Sequence, residues 1–440
     1  MPDQTTDYDL IVVGGGPAGM AAALEAEKRG VTRILVLERA ETLGGILEQC
    51  IHAGFGLHYF KEELSGPEYA DRFIALVEKS TIEVKTDTMV LDVIPGEGVH
   101  TIAAVSRTDG LLELTSAAVI LAMGCRERPR GALNIAGTRP AGILSAGAAQ
   151  KYVNLNGYLP GREVVILGSG DIGLIMARRM ALEGANVKMV CELLPYSSGL
   201  TRNIVQCLDD FGIPLRLSCT VVRIHGKERL EGVTVANVDA RRRPIPETEM
   251  YVPCDLLLLS VGLIPENELS RGAGLALDPV TGGPAVSQDR ETDIPGIFAC
   301  GNVLHVHDLV DYVTLESQLA GAGAAAYIQH PEGRGKAAAI PVRAEGGARY
   351  AVPRRIKRGV SAHPPAEPSS PEAVQVYFRV GQVYQGAEVR VRSVSPAGET
   401  VLLKRKRPRL APGEMEEVLL KPEQLASVPQ DGEIVIDILE

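Results

Sequence analysis

The chain has 440 residues, a formal net charge of −10 and a hydrophobic content of 45%. It therefore has room for about three domains and for substantial cores. No apolar run is long enough to span a bilayer, and the first strand begins by Tyr8, which leaves no space for a signal peptide. The seven cysteines form no C-x-x-C pair and show no metal-ligand spacing, so a reduced, cytoplasmic setting is expected. The basic residues concentrate in 331–410, including Arg354-Arg355, Lys357-Arg358 and Lys404-Arg405-Lys406-Arg407. With no aromatic interleaving and no binding motif, this stretch argues against a nucleic-acid partner. It reads instead as a strand edge protected by charge or as a docking surface for an acidic partner.

In chain order, Tyr8 to Val13 reads as a buried parallel strand and Pro17 to Arg29 as an Ala-rich helix stopped by Gly30. Arg33 to Leu37 is a second strand, ending in Glu38. Between the first strand and its helix lies Gly14-Gly15-Gly16-Pro17-Ala18-Gly19. Gly14 allows the tight turn, Gly16 lets the backbone approach a pyrophosphate, and Gly19 lets helix and strand pack closely. The free N–H groups and dipole of the helix start favour the phosphates, and Glu38, about 20 residues on, is placed to accept from a ribose.

The same unit recurs. Val164 to Leu167 is a strand, Gly168-Ser169-Gly170-Asp171-Ile172-Gly173 the turn, Ile172 to Leu182 a helix and Asn186 to Val190 a strand. Glu192 stands at the same offset from Gly168 as Glu38 from Gly14. A carboxylate there binds a free 2′-hydroxyl and repels a 2′-phosphate, and Leu193-Leu194-Pro195 supplies no arginine, so NAD(H) is expected over NADP(H). Two fingerprints imply two dinucleotides and an electron passed between them. Two further apolar runs, Ala118 to Gly124 and Leu256 to Gly262, read as strands that return the chain from one nucleotide domain toward the other.

The expected organisation is α/β: two Rossmann-like domains, the second inserted in the first, plus a small C-terminal all-β module. Residues 1–139 and 266–345 form the first domain, 140–265 the insertion, 346–372 a Pro/Ser-containing linker and 373–440 the module. The module strands are expected at Val374–Val380, Glu388–Ser393, Thr400–Arg405, Glu416–Leu420 and Ile434–Leu439.

These motifs resemble the two-dinucleotide flavoprotein oxidoreductases, which include thioredoxin reductase, glutathione reductase and NADH oxidase. The resemblance implies FAD at the first fingerprint and NAD(P) at the second. Thr292 to Asn302 is similar to the family's distal FAD motif, which places Gly301 and Asn302 at the ribityl chain, where the family usually has Asp. Gly44-Gly45-Ile46-Leu47 resembles the flavin-contact loop of the thioredoxin reductase subclass, and the resemblance assigns Gly45, Ile46 and Gly124 to FAD and Gly262 to NAD. Where that subclass carries its dithiol, this chain reads Ala146-Gly147-Ala148-Ala149-Gln150, so thioredoxin reduction, which needs two thiols, is excluded.

A longer match joins Gly45 to His52, Gly54 to His58, Ala122 to Arg128, Cys300 to Asp308 and Ala411 to Met415. It resembles the bacterial FAD/NAD oxidoreductases found beside a glycerol-3-phosphate dehydrogenase-type flavoprotein, often with a small cysteine-containing protein. The resemblance implies a complex in which the partner flavoprotein oxidises substrate and this chain exchanges electrons with NAD. Cys50 and His52, after the glycine pair, are the catalytic candidates. Cys50 is either redox active, through a thiolate and sulfenic acid, or merely packed. His305, His307 and Asp308 look metal-like, but a loop entering a helix does not supply metal geometry, so no metal is expected. A free-standing NADH oxidase or peroxidase, and an assembly protein with structural nucleotides, remain the rival readings. A homo-oligomer also stays open.

Overall fold

The computed structural model describes residues 6–331, 338–358 and 373–440. The chain divides into two compact units. The first comprises 1–48, 53–125 and 265–440, the second 49–52 and 126–264.

In the first unit Tyr8–Val13 pairs in parallel with Ile34–Leu37 on one side and with Gly110–Leu121 on the other. Glu83–Lys85 extends one edge in parallel, and Ile297–Ala299 adds in parallel beside Gly110–Leu121. The long strand Gly110–Leu121 also turns the sheet. Its start pairs antiparallel with His100–Ser106, which in turn pairs with Thr88–Ile94. Leu10, Ile11 and Val12 are fully buried, as expected of a parallel strand covered on both faces. The helices Pro17–Lys28 and Val310–Gln329 cover one face, and their contact is built from small residues. Ala21, Ala22 and Ala26 share a core with Ala320, Ala324 and Ala325, and a Cβ at Gly321 would stand 2.2 Å from the Ala22 carbonyl. Only a glycine permits that approach.

The second unit carries an all-parallel five-stranded sheet in the order Ile143–Ser145, Leu256–Leu259, Glu163–Leu167, Asn186–Cys191 and Leu215–Arg216. A second sheet of four strands orders Ala136–Gly137, Cys219–His225, Gly232–Asn237 and Met250–Pro253. The helix Asp171–Leu182 packs Leu174, Met176, Ala177 and Met180 into the core with Val164, Ile166 and Leu258.

The C-terminal module differs from expectation at its start. Ala339–Ala344 pairs with Glu433–Leu439, Ala348–Val352 pairs with Val374–Val380, and Arg355–Lys357 pairs with Ala339–Ala344. The run Arg349 to Pro353, read from the sequence as an edge strand inside the 346–372 linker, is the strand Ala348–Val352, and with Arg355–Lys357 it belongs to the module, while 359–372 lie outside the described residues. The remaining module strands are Tyr384–Ser395, Gly398–Leu410 and Glu416–Leu420, the first two several residues longer than the composition suggested.

The module is also fused into the first unit. Tyr350 and Val352 fill the same core as Ile11, Leu35 and Val119. Two of the basic residues are consumed in that joint. Arg354 Nε lies 3.2 Å from Asp278, and Lys357 Nζ lies 2.7 Å from Glu291 and 3.3 Å from Asp289. Lys404 and Arg407, on the edge strand Gly398–Leu410, pair with Glu388 and Glu416. Among the described residues no helix is long and apolar enough to cross a membrane.

Candidate functional site

The two fingerprints fold alike, residue for residue. Gly14 and Gly168 take φ of +110° and +101°, and a Cβ on them would lie 2.5 Å from the Ala122 carbonyl and 1.9 Å from the Ser260 carbonyl. Gly19 and Gly173 face the turn itself, and a Cβ would stand 1.8 Å from Gly14 O and 2.6 Å from Gly168 O. The fold alone therefore demands these four glycines. Gly16 and Gly170 are different. Their backbones are extended, and a Cβ on Gly16 would meet nothing nearer than 4.0 Å, on Gly170 nothing nearer than 3.7 Å. Nothing in the fold requires a glycine at either. Each is the N-cap of its helix, Pro17–Lys28 or Asp171–Leu182, and neither helix has a side-chain cap. By contrast Ser65 caps Gly66–Glu78 and Ser145 caps Ala146–Asn154. The uncapped N–H groups and the space a methyl would occupy are what a pyrophosphate needs.

The acids repeat too. Glu38 accepts from the N–H of Gly15 and Ala40, both at 2.7 Å. Glu192 accepts from the N–H of Ser169 and Leu194, both at 2.9 Å, and from the Ser169 hydroxyl at 2.7 Å. Each carboxylate is held against its glycine turn by backbone donors and keeps further lone pairs for ribose hydroxyls. Pro17 and Ala18 open the first helix; Asp171 and Ile172 open the second. Asp171 accepts from Leu200 N at 2.8 Å and Asn203 Nδ2 at 2.6 Å, so its charge is tied to the following loop.

Around the first fingerprint, Gly44 N donates to Gly15 O at 3.0 Å, which lays Gly44-Gly45 along the turn. Ile46 follows with 59% of its surface exposed. A Cβ at Gly124, after the strand Gly110–Leu121, would meet nothing within 4 Å, and the same is true of Gly262 in the second unit. Gly301 and Asn302 begin a short 3₁₀ turn after the strand Ile297–Ala299. Asn302 Oδ1 accepts from His307 N at 3.0 Å, and its Nδ2 lies 3.6 Å from Cys125 Sγ. The residues present fit a dinucleotide at each fingerprint.

Cys50 and His52 belong to the second unit. There Gln49 Nε2 donates to Gly147 O at 2.9 Å and to Gln150 Oε1 at 3.0 Å, and Cys50 Sγ lies 3.8 Å from the same Gln150 oxygen. Burial pushes the Cys50 thiol up to about 12, so it is protonated at neutral pH and a poor nucleophile. The helix Ala146–Asn154 holds no thiol where a dithiol would be required.

The HVHD segment is a buried network. The Glu316 carboxylate, fully buried, lies 2.9 Å from both His305 Nε2 and His307 Nε2, 3.1 Å from Arg290 Nε, and accepts from Gly301 N at 3.1 Å. Burial alone would raise its pKa, but the two histidines and Arg290 overcome that and hold it well below the usual carboxylate range. Burial lowers His305 to about 4 although Glu316 opposes the shift, so this imidazole is neutral and Arg290 supplies the compensating charge. An ionised carboxylate can only accept, so both imidazoles carry a proton on Nε2. Tyr377, from the module, closes over both rings at 5.6 Å.

The three ligand-type atoms of His305, His307 and Glu316 lie within 4.8 Å of one another. A divalent cation there would face the fixed Arg290 guanidinium and a carboxylate already engaged by four donors. Asp308 points away from this network. It pairs with Arg379 and accepts from Met415 N at 2.6 Å. Sequence reasoning missed Arg290 and Tyr377, which lie far apart in the chain and carry no motif. It also gave no role to Asp311, whose carboxylate gathers the N–H groups of Gly56, His58 and Tyr59 at 3.1, 3.1 and 2.7 Å. His58 stacks on Tyr312, and Gln318 donates to the Tyr59 hydroxyl at 2.8 Å.

Comparison with known proteins agrees with this geometry. The chain is 28% identical over 326 residues to an opine oxidase subunit from Agrobacterium tumefaciens, covering 68% of this chain and 62% of that protein. It is 27% identical to hydrogen cyanide synthase subunit HcnB of Pseudomonas protegens, covering 60% of this chain and 58% of that one. The chain thus spans about three fifths of the length of these relatives. It is 25% identical to the thioredoxin reductase of Listeria monocytogenes, covering 75% of this chain and 96% of that protein. The crystal structure of T. acidophilum thioredoxin reductase superposes with a TM-score of 0.60 at 22% identity, over 73% of this chain and 99% of that one. The fold is therefore the two-domain α/β fold of thioredoxin reductase. The pyridine nucleotide-disulphide oxidoreductase family model matches residues 8–325, and the chain belongs to that family of FAD-dependent NAD(P)H oxidoreductases.

Proposed function

We propose that this chain is the NAD(H)-linked flavoprotein subunit of a multi-subunit dehydrogenase, exchanging electrons with a partner that oxidises the substrate. The observation that carries the reading is the pair of open, uncapped glycines, Gly16 and Gly170, each at a helix start whose fold does not need a glycine. FAD, when bound, supplies the hydride chemistry with the nicotinamide. The first fingerprint holds its pyrophosphate, Glu38 its ribose, and Gly45, Ile46, Gly124, Gly301 and Asn302 surround the remainder. Gly168, Gly170, Asp171, Ile172, Gly173 and Gly262 shape the second site, where Glu192 favours NAD(H) by accepting from a 2′-hydroxyl and repelling a 2′-phosphate.

Two relatives are named as subunits, which supports a partner. A flavoprotein of the glycerol-3-phosphate dehydrogenase type, with or without a small cysteine-containing protein, is the partner the motifs fit. The helix Ala146–Asn154 carries no dithiol and Cys50 is held as a thiol, so in this reading the electrons pass to the partner rather than to a disulfide at that helix.

Anaerobic mixing with NADH, followed by admission of air, tests the reading. Fast bleaching of the flavin band and slow recovery in air are expected. Recovery within the mixing time would make the chain a free-standing NADH oxidase, and a bound flavin that NADH never bleaches would leave only an assembly role.

A further inference from the structure

A fully buried carboxylate of the first unit lies directly behind the turn that the flavin reading needs. One atom, Glu316 Oε2, holds that turn from both sides. It accepts from Gly301 N at 3.1 Å and lies 2.9 Å from His307 Nε2. The same His307 donates its backbone N–H to Asn302 Oδ1 at 3.0 Å. Asn302 therefore sits in a closed loop of hydrogen bonds that begins and ends on one carboxylate oxygen. That loop fixes the amide: a backbone N–H must find an oxygen, so Oδ1 faces His307, while Nδ2 donates one N–H to Cys125 Sγ at 3.6 Å and keeps the other for a ligand.

Resting on the flavin reading, we propose that Glu316 is the positioning residue of the flavin site. It would hold Gly301 and Asn302 so that Asn302 presents an N–H donor, rather than an acceptor, to the bound cofactor. His305 and Arg290 keep the carboxylate from turning, each binding its other oxygen, Oε1, at 2.9 and 3.1 Å. The C-terminal module locks the assembly from behind. Tyr377 covers both imidazoles, while Arg379 and Met415 N clamp Asp308, the next residue after His307. A network built only to stabilise a core would not end on the side chain that faces the cofactor. A buried carboxylate is costly unless it is paired, and here four donors converge on it.

The test uses the full-length protein with FAD. Glu316→Gln keeps the shape but cannot accept from both histidines, Arg290 and Gly301 as the carboxylate does. It is expected to weaken FAD binding at least tenfold and to alter the visible circular dichroism of the bound flavin. Lys404→Ala, which removes only an ion pair with Glu388 on the module's edge strand, should leave both unchanged. If Glu316→Gln does not accumulate folded, His307→Gln is read by the same two measurements.

Wild-type affinity and an unchanged flavin spectrum in the variant, even with a lowered melting temperature, would reduce the network to core structure and overturn the assignment. Failure of the flavin reading itself is distinguishable, because the unmutated protein would then show no visible flavin band.

Discussion

Gly170→Ala separates what the fold needs from what the ligand needs. Gly170 has φ −68° and ψ 163°, a conformation alanine adopts freely, and its Cβ would meet Ser198 Oγ at 3.7 Å and Ser260 Oγ at 3.8 Å, ordinary contacts. Glycine to alanine at a compatible position stabilises by about 0.4–1 kcal/mol, because the unfolded chain has fewer states to lose. The variant should therefore melt at or slightly above the wild-type temperature. The same methyl stands at the uncapped start of Asp171–Leu182, where the pyrophosphate would be bound. Displacing a substrate by an ångström costs on the order of 10²-fold, or about 2.7 kcal/mol of barrier. The assay is anaerobic stopped-flow reduction of the flavin by NADH, set beside a thermal melt. The expected result is an unimpaired melt with NADH-dependent bleaching slowed at least about 100-fold, while dithionite still bleaches the flavin fully. Gly168→Ala is the contrast: a Cβ 1.9 Å from Ser260 O at φ +101° should damage the second unit itself. Wild-type bleaching by Gly170→Ala would refute the assignment of this turn to the dinucleotide.

Further tests follow from the same geometry. Glu192→Ala should raise the KM for NADH and improve the NADPH to NADH ratio of kcat/KM by at least about tenfold, since one charge-assisted contact is worth roughly 1.5–3 kcal/mol. His305, lowered from 6.5 to about 4, is neutral in the fold but takes up a proton when unfolded. Its contribution to stability is therefore complete above pH 6.5 and is lost as pH falls toward 4, about 3 kcal/mol over that window. Urea unfolding at pH 7 and pH 4.5 should show that slope, and His305→Gln should flatten it. Cys50→Ser should keep NADH-dependent bleaching within about twofold, because a thiol held protonated lends no nucleophile; a loss of 100-fold would restore a redox role to Cys50. Arg379→Ala leaves Asp308 largely buried without its cation and should cost about 3 kcal/mol in urea unfolding of the full chain.

Much of the nucleotide architecture was legible because it is local. The strand Tyr8–Val13, the turn, the helix and the acid all lie within one short stretch, and each residue type there has a single physical job. Their repetition around Gly168 made the second unit legible for the same reason. What could not be read is what forms at long range. A strand near 349–353 could be read, but not its membership of the module, because short strands that pair with residues 374–380 and 339–344 carry no signal of their partner. Arg290, Glu316 and Tyr377 meet only in the fold, and the HVHD segment could be noticed but not interpreted without them. The basic run divides: Lys404 to Arg407 lie on the edge strand Gly398–Leu410, as the charge-protected edge predicts, whereas Arg354 and Lys357 face Asp278, Asp289 and Glu291, pairings that no scan of local charge reveals.

The shared core has a consequence for the order of events during synthesis. Ile11, Leu35 and Val119 emerge early, yet their packing is completed by Tyr350 and Val352, and the sheet they belong to waits for Ile297–Ala299. The five-stranded sheet of the second unit, by contrast, draws all its strands from 143–216 and 256–259. On the ribosome the later-starting unit is thus the first able to finish. The N-terminal strands can gain part of their cover from 90–121, but their sheet and core are completed only when Ile297–Ala299, Tyr350 and Val352 have been made.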